Sequence, residues 1–297
     1  MKLSQLWLPV AVFSLLTLSF GCNATQNTAS VANNNAHLDF YVSGNNPKLM
    51  ERLNEHKFPT TPIDSKSATG KIIKALLGAK SDDFLIVLNP VINRPLAVLG
   101  VNDKTDWASI ETALEKIDAI NKNGPKGLAR LQPQNKEQAK LVLFSDYQCP
   151  HCQRMEAVID EWKTRYGKNL VVDFVNFPLP GHPQAQPAAQ AAECARKQDK
   201  TEGKFNAYQE LLFTNQKKLT PSAYFDFAKK VNLDAKAFKT CMEKGETIDT
   251  VKSDLAFGNF MVIHGTPSLF LNGELLEGMT QQELEAKLDS LIKKPTP

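Results

Sequence analysis

The tetrapeptide Cys149-Pro150-His151-Cys152 stands where an apolar run ends and a helical pattern begins, and no other feature constrains the fold as tightly. Leu141-Val142-Leu143-Phe144 reads as a buried strand. After it, Cys152, Met155, Val158, Ile159, Trp162 and Tyr166 recur at the spacing of one helix face. This pattern sets Cys152 inward and leaves Cys149, one turn earlier, at the exposed helix start. Pro150 falls at the first helical position, where its missing N–H costs nothing. A thiol there meets unpaired N–H groups and the partial positive charge of the helix end, which favour thiolate over thiol. A charge on the adjacent His151 would add to that effect. A stabilised thiolate is a good leaving group, and a stabilised reduced form makes the disulfide more oxidising. The expected chemistry is disulfide exchange, with Cys149 as the attacking and attacked sulfur and Cys152 as the buried resolving sulfur.

Other uses of the motif fit less well. A haem attachment site needs His directly after the second Cys, and Gln153 stands there. A structural zinc site needs two further ligands, and Cys194 and Cys241 are not a close-spaced pair. A purely structural bond between two cysteines on adjacent turns would staple almost nothing. The reading assigns no metal and no cofactor.

The 297 residues suffice for about two domains, and the formal charge of +3 gives no reason to invoke nucleic acid. Residues 1–22 read as an export signal: Lys2 supplies the positive region, residues 6–20 are mostly apolar, and Gly21-Cys22 offers small residues for cleavage. No later stretch is long and apolar enough to span a bilayer. The Gly21-Cys22 step also resembles a bacterial lipoprotein site, with Ser19 where Leu is usual. Lipidation of Cys22 and ordinary cleavage near Ala24 both stay open. A single acyl chain binds membranes only marginally, so firm anchoring would need more. The chain is expected in the periplasm or cell envelope. Four cysteines remain after residue 22, and an even count in an exported protein points to disulfides.

Residues 23–37, rich in Asn, Ala, Thr and Ser, read as a flexible tether. A first α+β unit is expected over residues 38–131, with strands at 38–42, 84–88 and 96–101 and helices near 48–56 and 106–120. It carries no cysteine and no catalytic constellation. Residues 124–135, with Pro125 and Pro133, read as a polar connector. The second unit, 136–294, holds the chemistry. It continues with a strand at 170–175, a largely helical insertion at about 179–258, and a hairpin whose Asn272-Gly273 favours a type I′ turn. A helix over 281–293 closes it.

The run Phe144-Ser145-Asp146-Tyr147-Gln148-Cys149-Pro150-His151-Cys152, the helical insertion, and Gly265-Thr266-Pro267 before a strand occur in an order that resembles the DsbA-type thioredoxin-fold oxidoreductases of the bacterial cell envelope. The resemblance covers about residues 140–292. It implies an α/β fold: a thioredoxin fold with an inserted helical subdomain, preceded by the small α+β domain. It implies that Pro267 is a cis-proline beside the redox pair, with Thr266 offering backbone groups to a bound peptide; the alternative is an ordinary strand-start proline. It also suggests a second, structural disulfide between Cys194 and Cys241, worth roughly 4 kcal/mol at most on the chain-entropy model. Two buried free thiols are the alternative. His182, His264 and Glu156 are polar residues near the motif for which a packing or surface role competes with a role in tuning the pair.

Three functions follow. An oxidase would form disulfides in reduced exported proteins and be reoxidised by a membrane partner. An isomerase or reductase would be kept reduced and reshuffle misoxidised proteins. The extra N-terminal unit, as a dimerisation domain, and Thr266, in place of the Val common in the oxidases, lean that way. A non-enzymatic module could use Cys149 and Cys152 as soft metal ligands, for instance for Cu(I).

Overall fold

The computed structural model describes residues 37–67, 71, 81–92, 94–135, 138–199, 201 and 203–292. The stretch expected to be an export signal, Cys22 and most of the expected tether lie outside the described residues. The chain divides into two compact units, one holding residues up to Lys126 together with Asn259–Val262, the other Gly127–Gly258 and the residues from Ile263 on.

The first unit contains β1 (Asp39–Ser43), α1 (Pro47–Glu55), β2 (Thr60–Ile63), β3 (Asp83–Asn89), β4 (Arg94–Val101) and α2 (Trp107–Asn123). Its sheet has the order β2-β1-β3-β4, parallel between β1 and β2 and antiparallel elsewhere. Alternation sorts the side chains. Phe40 and Val42 of β1 pair with Val87 and Leu85 of β3 on one face, and Tyr41 pairs with Ile86 on the other. Both helices start where short polar side chains cap them: Asn46 accepts from the Leu49 N–H, with Pro47 in the first turn, and Asp106 accepts from the Ala108 N–H. Strand β2 was not expected. Its four residues include Pro62 and are half exposed, so they carry no apolar run to read.

The second unit contains β5 (Ala139–Ser145), α3 (Pro150–Tyr166), β6 (Leu170–Asn176), α4 (Ala185–Arg196), α5 (Gly203–Thr214), α6 (Pro221–Lys230), α7 (Ala235–Lys244), α8 (Ile248–Phe260, whose last two residues fall in the first unit), β7 (Ser268–Leu271), β8 (Glu274–Leu275) and α9 (Gln281–Leu291). The sheet order is β6-β5-β7-β8, with β5 parallel to β6 and antiparallel to β7. Strand β5 is buried on both faces, as its unbroken apolar run requires. Leu141 and Leu143 share a core with Ile159 and Trp162 of α3. Phe144, pointing the other way, meets Phe177, Phe257 and Phe270. A Cβ on Gly258 would collide with the Phe177 ring, so only glycine fits there. Asn272 and Gly273 both take positive φ, as a type I′ turn needs. Among its described residues the insertion holds the α-helices α4 to α8 and a short 3-10 helix at Gln216–Lys218. Cys194 in α4 and Cys241 in α7 are bonded, with Cα atoms 5.9 Å apart.

The segment over 124–135 is not a polar connector. Gly124–Leu131 forms a 3-10 helix, and Leu128 and Leu131 are fully buried. The boundary between units therefore falls earlier than residue 131. Arg130 fixes the segment to the second sheet. Its guanidinium grips both Asp173 carboxylate oxygens at 2.7 and 3.0 Å, Asp254 at 2.6 Å and the Phe174 carbonyl at 2.9 Å. Burial works against the Asp173 carboxylate, yet Arg130 and Lys140 hold it below the usual range. Among the described residues no helix is long and apolar enough to cross a membrane.

Candidate redox site

Strand β5 ends at Ser145, and four residues later the chain enters α3. Cys149 is the N-cap of α3 and Pro150 its first residue, and no side chain caps this end. The first-turn N–H groups therefore remain open to the sulfur, as the sequence implied. The turn between is tightly fixed. The Cys149 N–H donates to the Asp146 carbonyl at 3.0 Å, and Tyr147 is buried against Phe174 and Phe213, its hydroxyl accepting from Gln209.

Both motif cysteines are unbonded, and both are buried. For Cys152 this is the expected placement. For Cys149 it is not: the residue is only 4% exposed. Helix periodicity correctly places it at the helix start but says nothing of what lies above. The loop at Thr266 and Pro267 covers it. The Thr266–Pro267 bond is cis, and the Cys149 thiol donates to the Thr266 carbonyl at 3.4 Å. On another side Gln216, from the turn after α5, donates to the Cys149 carbonyl at 2.9 Å. No local pattern marks Gln216 in the sequence.

Cys152 receives the Asp146 N–H at 3.4 Å. Burial pushes its thiol up to about 12, against the pull of the Ser145 and Thr266 hydroxyls and that N–H. A thiol of this kind holds its proton and resolves only when the proton is removed, whereas Cys149 sits at the open helix end.

His151 is exposed, and its Nδ1 lies 2.8 Å from an Arg154 guanidinium nitrogen. Arginine can only donate, so this ring nitrogen accepts. Arg154 brings a fixed positive charge to the first turns of α3 beside His151. His264 is exposed. His182 is drawn in: its Nδ1 lies 2.7 Å from the Asp146 carboxylate, which is wholly buried. Among the described residues no group of three or more His, Cys, Asp and Glu side chains could hold a metal ion.

Glu156, one turn beyond Cys152, is not on a solvated face. Its side chain is 14% exposed, Oε2 has no partner, and Oε1 lies 3.9 Å from the Lys163 ammonium. Burial pushes its carboxyl up to about 7, with Lys163 pulling it down and Asp160 pushing it up. The folded protein keeps this proton from pH 4.5 to about 7, where the unfolded chain releases it. Stability therefore falls as pH rises through that window and levels off above it. Glu156→Gln is expected to match the parent at pH 4 and to exceed it at pH 8 by about 2–3 kcal/mol in urea unfolding. Equal stability of the two proteins at pH 8 would count against the buried carboxyl.

A four-stranded sheet of this order, with Cys-X-X-Cys at a helix start facing a cis-proline, defines the thioredoxin-fold class. The Thioredoxin family model matches residues 134–290, and the chain belongs to that family. The Proteus mirabilis ScsC structure in a transitional conformation aligns with a TM-score of 0.50 at 20% identity, covering 64% of this chain and 87% of that one. BdbD from Bacillus subtilis, oxidised, aligns at 0.48 and 21% identity over 55% and 91%. Among curated relatives, the Na(+)/H(+) antiporter NhaA 1 of Mycobacterium sp. (strain KMS) is 32% identical over 184 residues. That match takes 57% of this chain, and the chain spans 29% of the antiporter's length.

Proposed function

We propose that the protein is a thiol:disulfide oxidoreductase that forms disulfides in exported proteins through Cys149 and Cys152. The observation that carries the reading is the placement of Cys149 at the uncapped start of α3, against the Thr266 carbonyl, with Cys152 buried one turn behind. In the oxidised protein a substrate thiolate attacks the Cys149 sulfur. The Cys149–Cys152 bond breaks, its electron pair goes to the Cys152 sulfur, and that sulfur takes a proton. A second substrate thiolate then attacks the substrate sulfur of the mixed disulfide, and Cys149 leaves as thiolate at the helix end. Two substrate thiols lose two electrons and the cysteine pair gains them. A membrane redox partner would take them on. The reading of residues 1–22 as an export signal, from Lys2 and the apolar run that follows, supports action in the cell envelope, with Cys22 as a lipid anchor if it is modified.

The separate first unit supports a second reading, a homodimeric isomerase or reductase in which that unit joins two copies. One experiment ranks the two. Oxidised full-length protein is mixed with a reduced two-cysteine peptide, and in parallel the reduced protein is given scrambled ribonuclease. The oxidase reading expects one peptide disulfide per protein reduced and little recovery of ribonuclease. Recovery of ribonuclease activity by a protein dimeric in light scattering would favour the isomerase. Inertness in both assays, with tight Cu(I) binding, would leave the metal-binding module.

A further inference from the structure

Asp146 touches both cysteines through its backbone and reaches away from them with its side chain. Its N–H donates to the Cys152 sulfur at 3.4 Å, and its carbonyl accepts from the Cys149 N–H at 3.0 Å. The carboxylate is fully buried and takes three donors. Oδ1 accepts from the Gln148 N–H at 2.7 Å, a local turn of the kind Asp makes two residues on. Oδ2 accepts from the Leu179 N–H at 2.8 Å and from His182 Nδ1 at 2.7 Å. The last two donors belong to the loop that follows β6. That loop is tied to the redox turn at two further points, Phe177 N–H to the Ser145 carbonyl at 2.8 Å and Gln184 N–H to Gln148 Oε1 at 2.7 Å. The Pro180-Gly181-His182-Pro183 run, conspicuous in the sequence, is thus the far side of the redox site.

We propose that Asp146 and His182 are a positioning pair for the redox cysteines: His182 holds the buried carboxylate, and the carboxylate fixes the turn whose N–H is aimed at Cys152 and whose carbonyl holds the Cys149 N–H. The proposal rests on the reading of Cys149 and Cys152 as the exchanging pair. The direction of the effect follows from the contacts. The Asp146 N–H donates to the unbonded sulfur, so it stabilises the reduced form. Without His182 the carboxylate keeps two donors and the turn is held less firmly, so its N–H is aimed less well at the reduced Cys152 sulfur. That disfavours the reduced pair. Loss of His182 should therefore make the disulfide less oxidising.

The test is the redox equilibrium of the full chain with glutathione, measured for wild type, His182→Ala and His182→Gln. The His182 side chain is 27% exposed, so its removal leaves no large cavity. The expected result is an equilibrium constant for reduction lowered at least threefold in His182→Ala. Recovery to within twofold of wild type is expected in His182→Gln, whose amide can still donate to the carboxylate. An unchanged constant in His182→Ala, with or without a lower melting temperature, would overturn the proposal and leave the pair a packing feature. Failure of the wild type itself to exchange with glutathione would instead overturn the reading on which it rests.

Discussion

Replacing Cys149 with serine is expected to lower oxidation of a two-cysteine peptide by a factor on the order of 10³ or more, because Cys152 then has no partner among the described free cysteines with which to form the exchanging disulfide. Replacing Cys152 with serine is expected to do something different. The Cys149 thiol of that variant, activated with a disulfide reagent, still accepts the thiol of a one-cysteine peptide, and the mixed disulfide persists because neither Cys152 nor a second peptide thiol is there to release it. The contrast comes from the two environments. Cys149 sits at the open end of α3 beside the Thr266 carbonyl, while Cys152 is fully buried with its thiol pushed up to about 12. Non-reducing electrophoresis after peptide exposure reads the difference. A long-lived adduct in the Cys149→Ser protein, and none in the Cys152→Ser protein, would reverse the assignment.

The second large effect is on stability. Arg130 is 31% exposed and is the shared partner of Asp173 and Asp254. Asp254 in turn accepts from the Asn176 N–H and side-chain amide at 2.9 and 2.8 Å, so the cluster ties the 3-10 segment, β6 and α8 together. Arg130→Met would strand two largely buried carboxylates. Breaking a buried pair from one side typically costs about 3–5 kcal/mol, since a charge is left without compensation. Lys140, 3.4 Å from Asp173, moderates the loss. Urea unfolding of the full chain should show a lower midpoint with an unchanged slope. Arg130→Lys should fall between, keeping charge but losing the two-pronged grip. Asp173 adds a pH signature. Its carboxyl is held low in the fold, so its contribution is present above the ordinary carboxylate range and is lost as pH falls through the folded value. A change of less than about 1 kcal/mol in Arg130→Met would mean the cluster is decorative.

What the sequence disclosed and what it hid divide along local and non-local lines. The β5–α3 junction, the inward face of α3 and the Asn272-Gly273 turn are local patterns, and each lies where its period or turn chemistry put it. The placement of Pro267 came only through family resemblance, because nothing local in Gly265-Thr266-Pro267 says that Cys149 lies beneath it. The burial of Cys149 was hidden for the same reason, as was the contact from Gln216, 67 residues away. The segment Gly124–Leu131 looked like a connector because its prolines and charges dominate the local pattern, yet Arg130 is there to meet acids over 40 and 120 residues away. The contact of His151 with the guanidinium three residues on was not read from the sequence. Asp146 had a readable signal, an Asp two residues before Gln148 at the end of a strand, where such side chains close turns. Its link to His182 had none.

The most direct measurement follows one turnover by chemical labelling. Oxidised full-length protein is mixed with one equivalent of reduced two-cysteine peptide, quenched with iodoacetamide and mapped by mass spectrometry. The account predicts that label appears on Cys149 and Cys152 in step with peptide oxidation, while Cys194 and Cys241 stay unlabelled. Peptide oxidation without label on Cys149 and Cys152, or with label on Cys194 and Cys241 instead, would contradict it.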